Sequence, residues 1–499
     1  TVEHVAALDA LGVRHGVLAA TRSDLGDAGL AIAEARERLA GTSLEDIEAV
    51  TVSPVAGVGL DDLRTALLRL TKQMPQTYSP ATRLWIDRVF TIRGVGTVVT
   101  GTLASGRISV GDELLVASSG EAVRVRGLET LKSAVPSVDA VSRVAVNLRG
   151  TKSGDLIRGD ALIGRDWWAR VDTVDVRLVN PPQRLPTELA LHVGSAAVAA
   201  RVRPLGNDTA RLSLRSPLPL HIGERAILRD PGEQHVVSGI IVLDTMPPDL
   251  GRRGAAARRA AELDVMTGDP DPAREVQRRR AVRRDRLVAA GVLDPSAGTP
   301  GGAVRAGAWL IADDQWRAWR AEIGAVLDDW SSTHPMSPGM PSPAVTRQLG
   351  LPDQELLALI VSSVDDVTLD GDGVHRLGVV PTLPPRVEAG LAAMVARLAS
   401  DPFDAATGPE LDAAGLTDAH LSTAVKNGRL LRVAASVFLA PNAVDEAARR
   451  LASLPQPFTM SAAREALATT RRVSVPLLEL LDRRGITLRT DDQRRTMRS

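Results

Sequence analysis

Leu84-Trp85-Ile86-Asp87-Arg88-Val89-Phe90-Thr91-Ile92-Arg93-Gly94-Val95-Gly96-Thr97-Val98-Val99-Thr100-Gly101-Thr102 is the stretch on which the fold turns. Two runs rich in Val, Ile and Thr flank the turn signal at Arg93-Gly94, which predicts a β-hairpin. Turn signals recur downstream at Ser105-Gly106, Val110-Gly111-Asp112 and Ser119-Gly120. Strands interrupted about every eight to twelve residues predict a small β-barrel. A second β-rich block, about 170 to 247, is punctuated by Pro181-Pro182, Gly206-Asn207 and Pro231-Gly232 and predicts another barrel.

On the N-terminal side the texture is α/β: an amphipathic stretch through Leu11, an apolar run Gly16 to Ala20, a helical pattern Leu30 to Leu39, a second apolar run Ile47 to Val52, and a helix from Leu60. On the C-terminal side, after Pro247-Pro248, the pattern turns helical. Strand-turn-strand pieces recur at Val367 to Leu377, Arg429 to Leu439 and Ile486 to Met497, the last around Thr490 to Gln493. Helices followed by such wings predict tandem winged-helix modules. The expected division is 1–75 for the C-terminal part of a nucleotide-binding domain, 76–170 and 171–250 for two barrels, and winged modules at 251–318, 319–382, 383–442 and 443–499.

Composition sets outer limits. The 499 residues are 44% hydrophobic and 24% charged, ordinary values for a globular protein, and no apolar run is long enough to span a bilayer. Sixty Lys+Arg balance sixty Asp+Glu, which excludes a polycation that coats nucleic acid. The neutrality is a local cancellation: residues 251–287 carry +5, residues 288–466 carry −8 and residues 467–499 carry +4. Absence of cysteine removes disulfides and thiolate chemistry, and the eight histidines show no close metal-ligand spacing, so no metal site is predicted. The N-terminus carries no secretion-signal pattern and opens on Thr1, so the chain is expected to be a fragment.

Two loops carry the first chemistry. Thr21-Arg22-Ser23-Asp24 follows an apolar strand, where an aspartate can accept two hydrogen bonds from a guanine edge while a basic stem packs on the ring. A helix N-cap by Ser23 or Asp24 is the competing explanation. About thirty residues on, Val52-Ser53-Pro54-Val55-Ala56-Gly57-Val58-Gly59-Leu60 again joins a strand end to glycines and a helix, and the pair favours a guanine site at Thr21, Arg22, Asp24 and Ser53. No Gly-Lys dipeptide exists, so there is no G-x-x-x-x-G-K-[ST] phosphate loop, and no Asp-x-x-Gly loop precedes Thr21 in the way a GTPase requires.

The 84–102 stretch, continued by Gly106-x-Ile-x-Val-Gly-Asp112, resembles the first barrel of translational GTPases such as elongation factor Tu. Leu228-Arg229-Asp230-Pro231-Gly232 and Ser238-Gly239 resemble the end of the following barrel, and Thr470 to Arg489 resembles the last winged helix of bacterial selenocysteine-specific elongation factors, the SelB family. In that family's relatives this barrel forms part of an aminoacyl pocket. Asp87-Arg88 here stands where two acidic residues usually lie, and Arg143 where an asparagine does. A pocket lined by Arg88 and Arg143 suits an anionic selenolate, with Asp87 positioning Arg88 or limiting affinity for other anions.

The resemblance implies delivery of selenocysteinyl-tRNA to the ribosome at recoded UGA codons, with GTP or GDP and Mg2+ as ligands of the intact protein and none bound tightly by this chain. It further implies a cytoplasmic monomer without membrane contact, GTP hydrolysis only in the intact protein, and a C-terminal grip on a selenoprotein mRNA hairpin. Arg471, Arg472, Arg483, Arg484, Arg489, Arg494 and Arg495 are the expected RNA contacts. A general elongation or initiation GTPase, or a non-catalytic RNA-binding regulator, stays open as an alternative. The eleven arginines of 252–286 are expected to form a helical surface laced with ion pairs, with tRNA or ribosomal RNA contact as the second reading.

Overall fold

The structure is a computed structural model that describes residues 2–73, 79–94, 96–151, 153–232, 235–337, 339–490 and 494–498. The chain forms two compact units, one ending at Ala312 and one beginning at Asp313. The first unit opens with helix Val2–Ala10 and two parallel strands, Val17–Thr21 and Glu48–Val52, paired from Val17 with Glu48 to Thr21 with Val52. Parallel pairing demands a crossover, and helix Ala28–Leu39 supplies it. Its N-cap is Asp27, whose carboxylate accepts from the Gly29 N–H at 2.8 Å. Helix Leu60–Gln73 lays Leu63 and Ala66 against Val17, Val50 and Val52.

The first barrel pairs Ser142–Arg149, Gly96–Ser105, Arg83–Ile92, Ala161–Ile163, Glu113–Val116 and Ala122–Thr130 in that order, and 142–149 returns to 122–130 to close it. Alternation fills its interior with Leu84, Ile86, Val99, Leu103, Val144 and Val146. The second barrel is closed and six-stranded, in the order Arg170–Val179, Thr209–Pro219, Ala196–Pro204, Glu188–Val193, Arg225–Arg229 and Val236–Asp244. A cluster at Arg83 seals the two barrels: its guanidinium lies over Trp168 and Trp85 and pairs with Glu224, and Trp168 stacks on His221 at 3.5 Å. Burial, with Arg83 nearby, lowers the His221 pKa to about 4 despite its contact with the Trp167 carbonyl, so the ring is a neutral packing element.

The basic stretch after the barrels holds ion pairs as expected, but those of Arg259, Arg278 and Arg279 are buried against the second barrel rather than on a surface. Asp175 and Asp244 face outward from the second barrel and are fully covered. Arg259, from helix Ala255–Asp264, is 1% exposed and bonds Asp175 at 2.7 Å and Asp244 at 2.6 Å. Arg278 and Arg279, from helix Pro272–Arg279, reach Asp244 at 3.0 and 2.5 Å and also pair with Glu275. Arg211 grips Asp175 through two nitrogens, at 2.7 and 3.0 Å. Arg177 donates to the carbonyls of Leu263, Asp264 and Met266, at and just beyond that helix end.

The second unit repeats one plan. Helix Asp313–Thr333 is followed by Ser342–Gln348, Glu355–Val361 and the hairpin Val367–Asp370/Gly373–Arg376. Then come Pro385–Ser400, Gly408–Ala413, Asp418–Lys426 and the hairpin Leu431–Ala434/Val437–Leu439. The last set is Ala443–Ala452, strand Phe458–Thr459, Met460–Ala466, Arg471–Arg483 and the hairpin Thr487–Arg489/Arg494–Met497. Most of the turn expected over Thr490 to Gln493 lies outside the described residues. Phe403, Val433 and Leu439 share one core with Ala443, Leu451, Leu477 and Leu481, which fuses the last two sets. Among the described residues no helix is long and apolar enough to cross a membrane.

Candidate functional sites

Parallel strands place their carboxyl ends side by side, and ligands of α/β sheets bind outside those ends. Pairing of Thr21 with Val52 therefore brings Thr21, Arg22 and Asp24 beside Ser53. Ser53 is fully buried, and its hydroxyl donates to Asp24 Oδ1 while accepting from the Ala56 N–H at 3.2 Å. The Ser53 N–H donates to the Val58 carbonyl at 3.0 Å and the Val58 N–H returns to Ser53, closing the loop. Gly59 follows at φ 70°, where a Cβ would sit 1.9 Å from the Thr51 carbonyl oxygen, so only glycine fits. Arg22 also has positive φ, 57°, a backbone state that costs a non-glycine residue about 1–2 kcal/mol. Asp24 is exposed, and its Oδ2 has no partner among the described residues. Because Asp27 caps the following helix, Asp24 is not spent as its cap.

On the first barrel, the register shift between Ile86 and Arg88 lets Asp87 bulge out of the strand while Arg88 pairs opposite Thr100. Arg143 pairs opposite Thr102 on the other flank. Thr100, Thr102, Arg88 and Arg143 all face away from the core, since Val99, Gly101, Leu103 and Val144 face into it. Asp87 accepts from the Thr100 hydroxyl at 2.7 Å and pairs with Arg143 at 2.7 Å, so it positions Arg143 rather than Arg88. Arg88 is exposed and has no ion-pair partner among the described residues.

At the C-terminus the expected RNA contacts separate. Arg472 donates to the carbonyls of Ala405 and Ala406 at 2.6 and 3.1 Å and to Ser436 at 3.2 Å, which locks the last two helical sets together. Arg495 is 9% exposed and bonds Asp482 at 2.8 Å. Arg471, Arg483, Arg484, Arg489 and Arg494 are exposed. Thirteen residues of helix put Arg471 and Arg483 about 18 Å apart, at opposite ends. Arg483 and Arg484 lie at the wing end, where exposed Arg498 approaches Gly485. Arg498 was missed in the sequence because it lies beyond the last periodic residue, although Arg494 to Arg498 alternates with the strand period.

Matches to known families cover three of these parts. "Selenocysteine-specific elongation factor, beta-barrel domain" matches residues 172–249, "Elongation factor SelB, winged helix" matches 449–496, and "Elongation factor Tu domain 2" matches 96–163. The selenocysteine-specific elongation factor of Desulfomicrobium baculatum is 28% identical, across 99% of this chain and 84% of that protein. That of Escherichia coli K12 is 28% identical, across 73% of this chain and 61% of that protein. Elongation factor Tu 2 of Streptomyces avermitilis is 33% identical, across 46% of this chain and 67% of that protein. The crystal structure of bacterial selenocysteine-specific elongation factor EF-Sec shares the fold, with a TM-score of 0.68 at 19% identity over 98% of this chain and 82% of that one. With a SelB barrel followed by a SelB winged helix and a relative aligned along nearly its whole length, the chain belongs to the SelB family of selenocysteine-specific elongation factors.

Proposed function

We propose that this chain carries selenocysteinyl-tRNA to the ribosome at recoded UGA codons, under GTP control in the intact protein, while its last winged helix holds a hairpin of the selenoprotein mRNA. The observation that carries the reading is the pair of outward-facing arginines on the first barrel, Arg88 without an ion-pair partner among the described residues and Arg143 held by Asp87. Guanidinium favours an ionised selenol over a neutral hydroxyl through charge-assisted hydrogen bonds. Selenocysteinyl-tRNA should therefore bind the chain more tightly than seryl-tRNA of the same tRNA body in a hydrolysis-protection assay. Equal protection of the two would refute the proposal.

The loops at Thr21, Arg22, Asp24 and Ser53 would hold a guanine edge, with Asp24 Oδ2 as the open acceptor. Without a Gly-Lys dipeptide these residues have no lysine to place on the terminal phosphates. The 499-residue chain is accordingly expected to show no GTP turnover above buffer in a phosphate-release assay; measurable turnover would contradict the assignment. For the RNA tip, Arg483→Ala combined with Arg484→Ala should weaken an mRNA hairpin about tenfold near ~0.15 M salt and lower the salt slope by about 1.4 to 1.8. Anisotropy titrations across a salt series would measure both, and an unchanged slope would remove these two arginines from the interface.

A further inference from the structure

Each helical set of the second unit has three helices before its hairpin, and the last inserts strand Phe458–Thr459 directly before helix Met460–Ala466. Its sheet order places that first strand beside the final one, Phe458–Thr459, Arg494–Met497, Thr487–Arg489. The end of the first unit follows the same order: helix Pro272–Arg279, strand Ala281–Arg283, helix Arg284–Ala289, then Ala303–Ala306 and Trp309–Ala312, with 281–283 again beside 309–312. One element is missing. Between 290 and 302, where the third helix belongs, there is no helix. Pro295, Gly298, Pro300, Gly301 and Gly302 forbid one, and Arg284 folds the loop back by donating to the carbonyls of Asp294, Pro295 and Ala297.

In helix-turn-helix proteins that helix is the one laid in the nucleic-acid groove. What remains of the module is turned toward protein. The end of Arg284–Ala289 meets the second barrel and its approach: the Ala169 N–H donates to the Ala289 carbonyl at 3.2 Å and the Ile222 N–H to the Ala290 carbonyl at 2.9 Å. Leu287, Val288, Val292 and Leu293 share one core with Ile222, Trp167 and Met246. Gly291, at φ 73°, lies so close to His221 that a Cβ would stand 2.4 Å from its ring. Arg278 and Arg279 are spent on Asp244 and Glu275. From these contacts we infer that the module 272–312 is a docking adaptor whose partner is the chain's own second barrel, and that it does not read nucleic acid. Its exposed arginines, Arg274, Arg280, Arg286 and Arg305, then lie outside any RNA interface.

Two measurements on the full chain test this. Arg286→Ala with Arg305→Ala should leave the affinity for fluorescein-labelled bulk tRNA and for a fluorescein-labelled mRNA hairpin within about twofold, with the salt slope unchanged. A reading module would lose about 0.7 to 0.9 of slope per arginine, and that result would overturn the inference. Separately, Gly291→Ala, which drives a methyl group into His221, should speed hydrogen exchange at the Ala169 and Ile222 amides at least tenfold. Should that variant not fold, Arg279→Lys keeps the charge, loses the fork and should shift the same amides in the same direction. Unchanged exchange at both amides would show that the docking contact does not exist in solution. The exchange arm involves no RNA, so its failure is distinguishable from failure of the proposed RNA tether.

Discussion

Replacing Arg88 and Arg143 together with alanine is expected to erase discrimination between selenocysteinyl-tRNA and seryl-tRNA, a loss of about two to four powers of ten in relative affinity. The magnitude follows from two charge-assisted hydrogen bonds of about 1.5 to 3 kcal/mol each, present with selenolate and nearly absent with a neutral hydroxyl. The two arginines are not equivalent. Arg143 already answers Asp87 at 2.7 Å, whereas Arg88 has its full charge available. Arg88→Ala alone should therefore cost selenocysteinyl-tRNA more than Arg143→Ala does. Asp87→Asn should strengthen selenocysteinyl-tRNA severalfold, because it removes a competing acceptor from Arg143. Because the Arg143 side chain is 60% exposed, solvent screens that competition, and the gain stays small. Equal losses for both aminoacyl-tRNAs in the double variant would mean that the arginines bind only the tRNA backbone.

That ranking could not be drawn from the sequence. Asp87 and Arg88 are neighbours along the chain, which suggests that the acid positions the adjacent base. Their actual arrangement depends on a bulge, and a bulge re-aims one side chain without leaving a periodicity. The barrels were legible because closely spaced turns and alternating Val, Ile and Thr are local signals, as the inward set Leu84, Ile86, Val99 and Leu103 shows. The two loops at Thr21 to Asp24 and Ser53 to Gly59 were legible for a similar reason, since each sits at a strand end. The module 251–318 is expected to be a winged helix from its helical texture, although the Pro and Gly between 295 and 302 carry a signal against a third helix. Asp175 and Asp244 were invisible as a docking site. An outward aspartate on a strand looks solvated until another element covers it, and nothing in one sequence says which element will.

Asp244→Ala should be the most damaging single change in the first unit. Burial alone would push the Asp244 carboxyl up, but the Arg279, Arg278 and Arg259 guanidiniums, with the Met246 N–H, hold it below the ordinary carboxylate value. Three guanidiniums converge on one fully buried carboxylate, so removing it leaves them facing each other with little water to screen them. Breaking a buried ion pair from one side costs about 3 to 5 kcal/mol, far more than the pair's net worth against an apolar replacement. Trp167 and Trp168 flank the adjoining contact with His221, so urea unfolding followed by tryptophan fluorescence reports on this junction. The first transition should move to lower urea by that amount, while the second unit, which contains none of these residues, unfolds as before. The pH dependence has a fixed sign. A carboxyl whose folded pKa is depressed stabilises above its unfolded value, near 3.8, and that stabilisation is lost as pH falls through the folded value. The junction should accordingly persist from pH 7 to about 5 and open only below about 4. A destabilisation under about 1 kcal/mol, or opening already near pH 6, would show that water reaches Asp244 and that the guanidiniums do not depend on it.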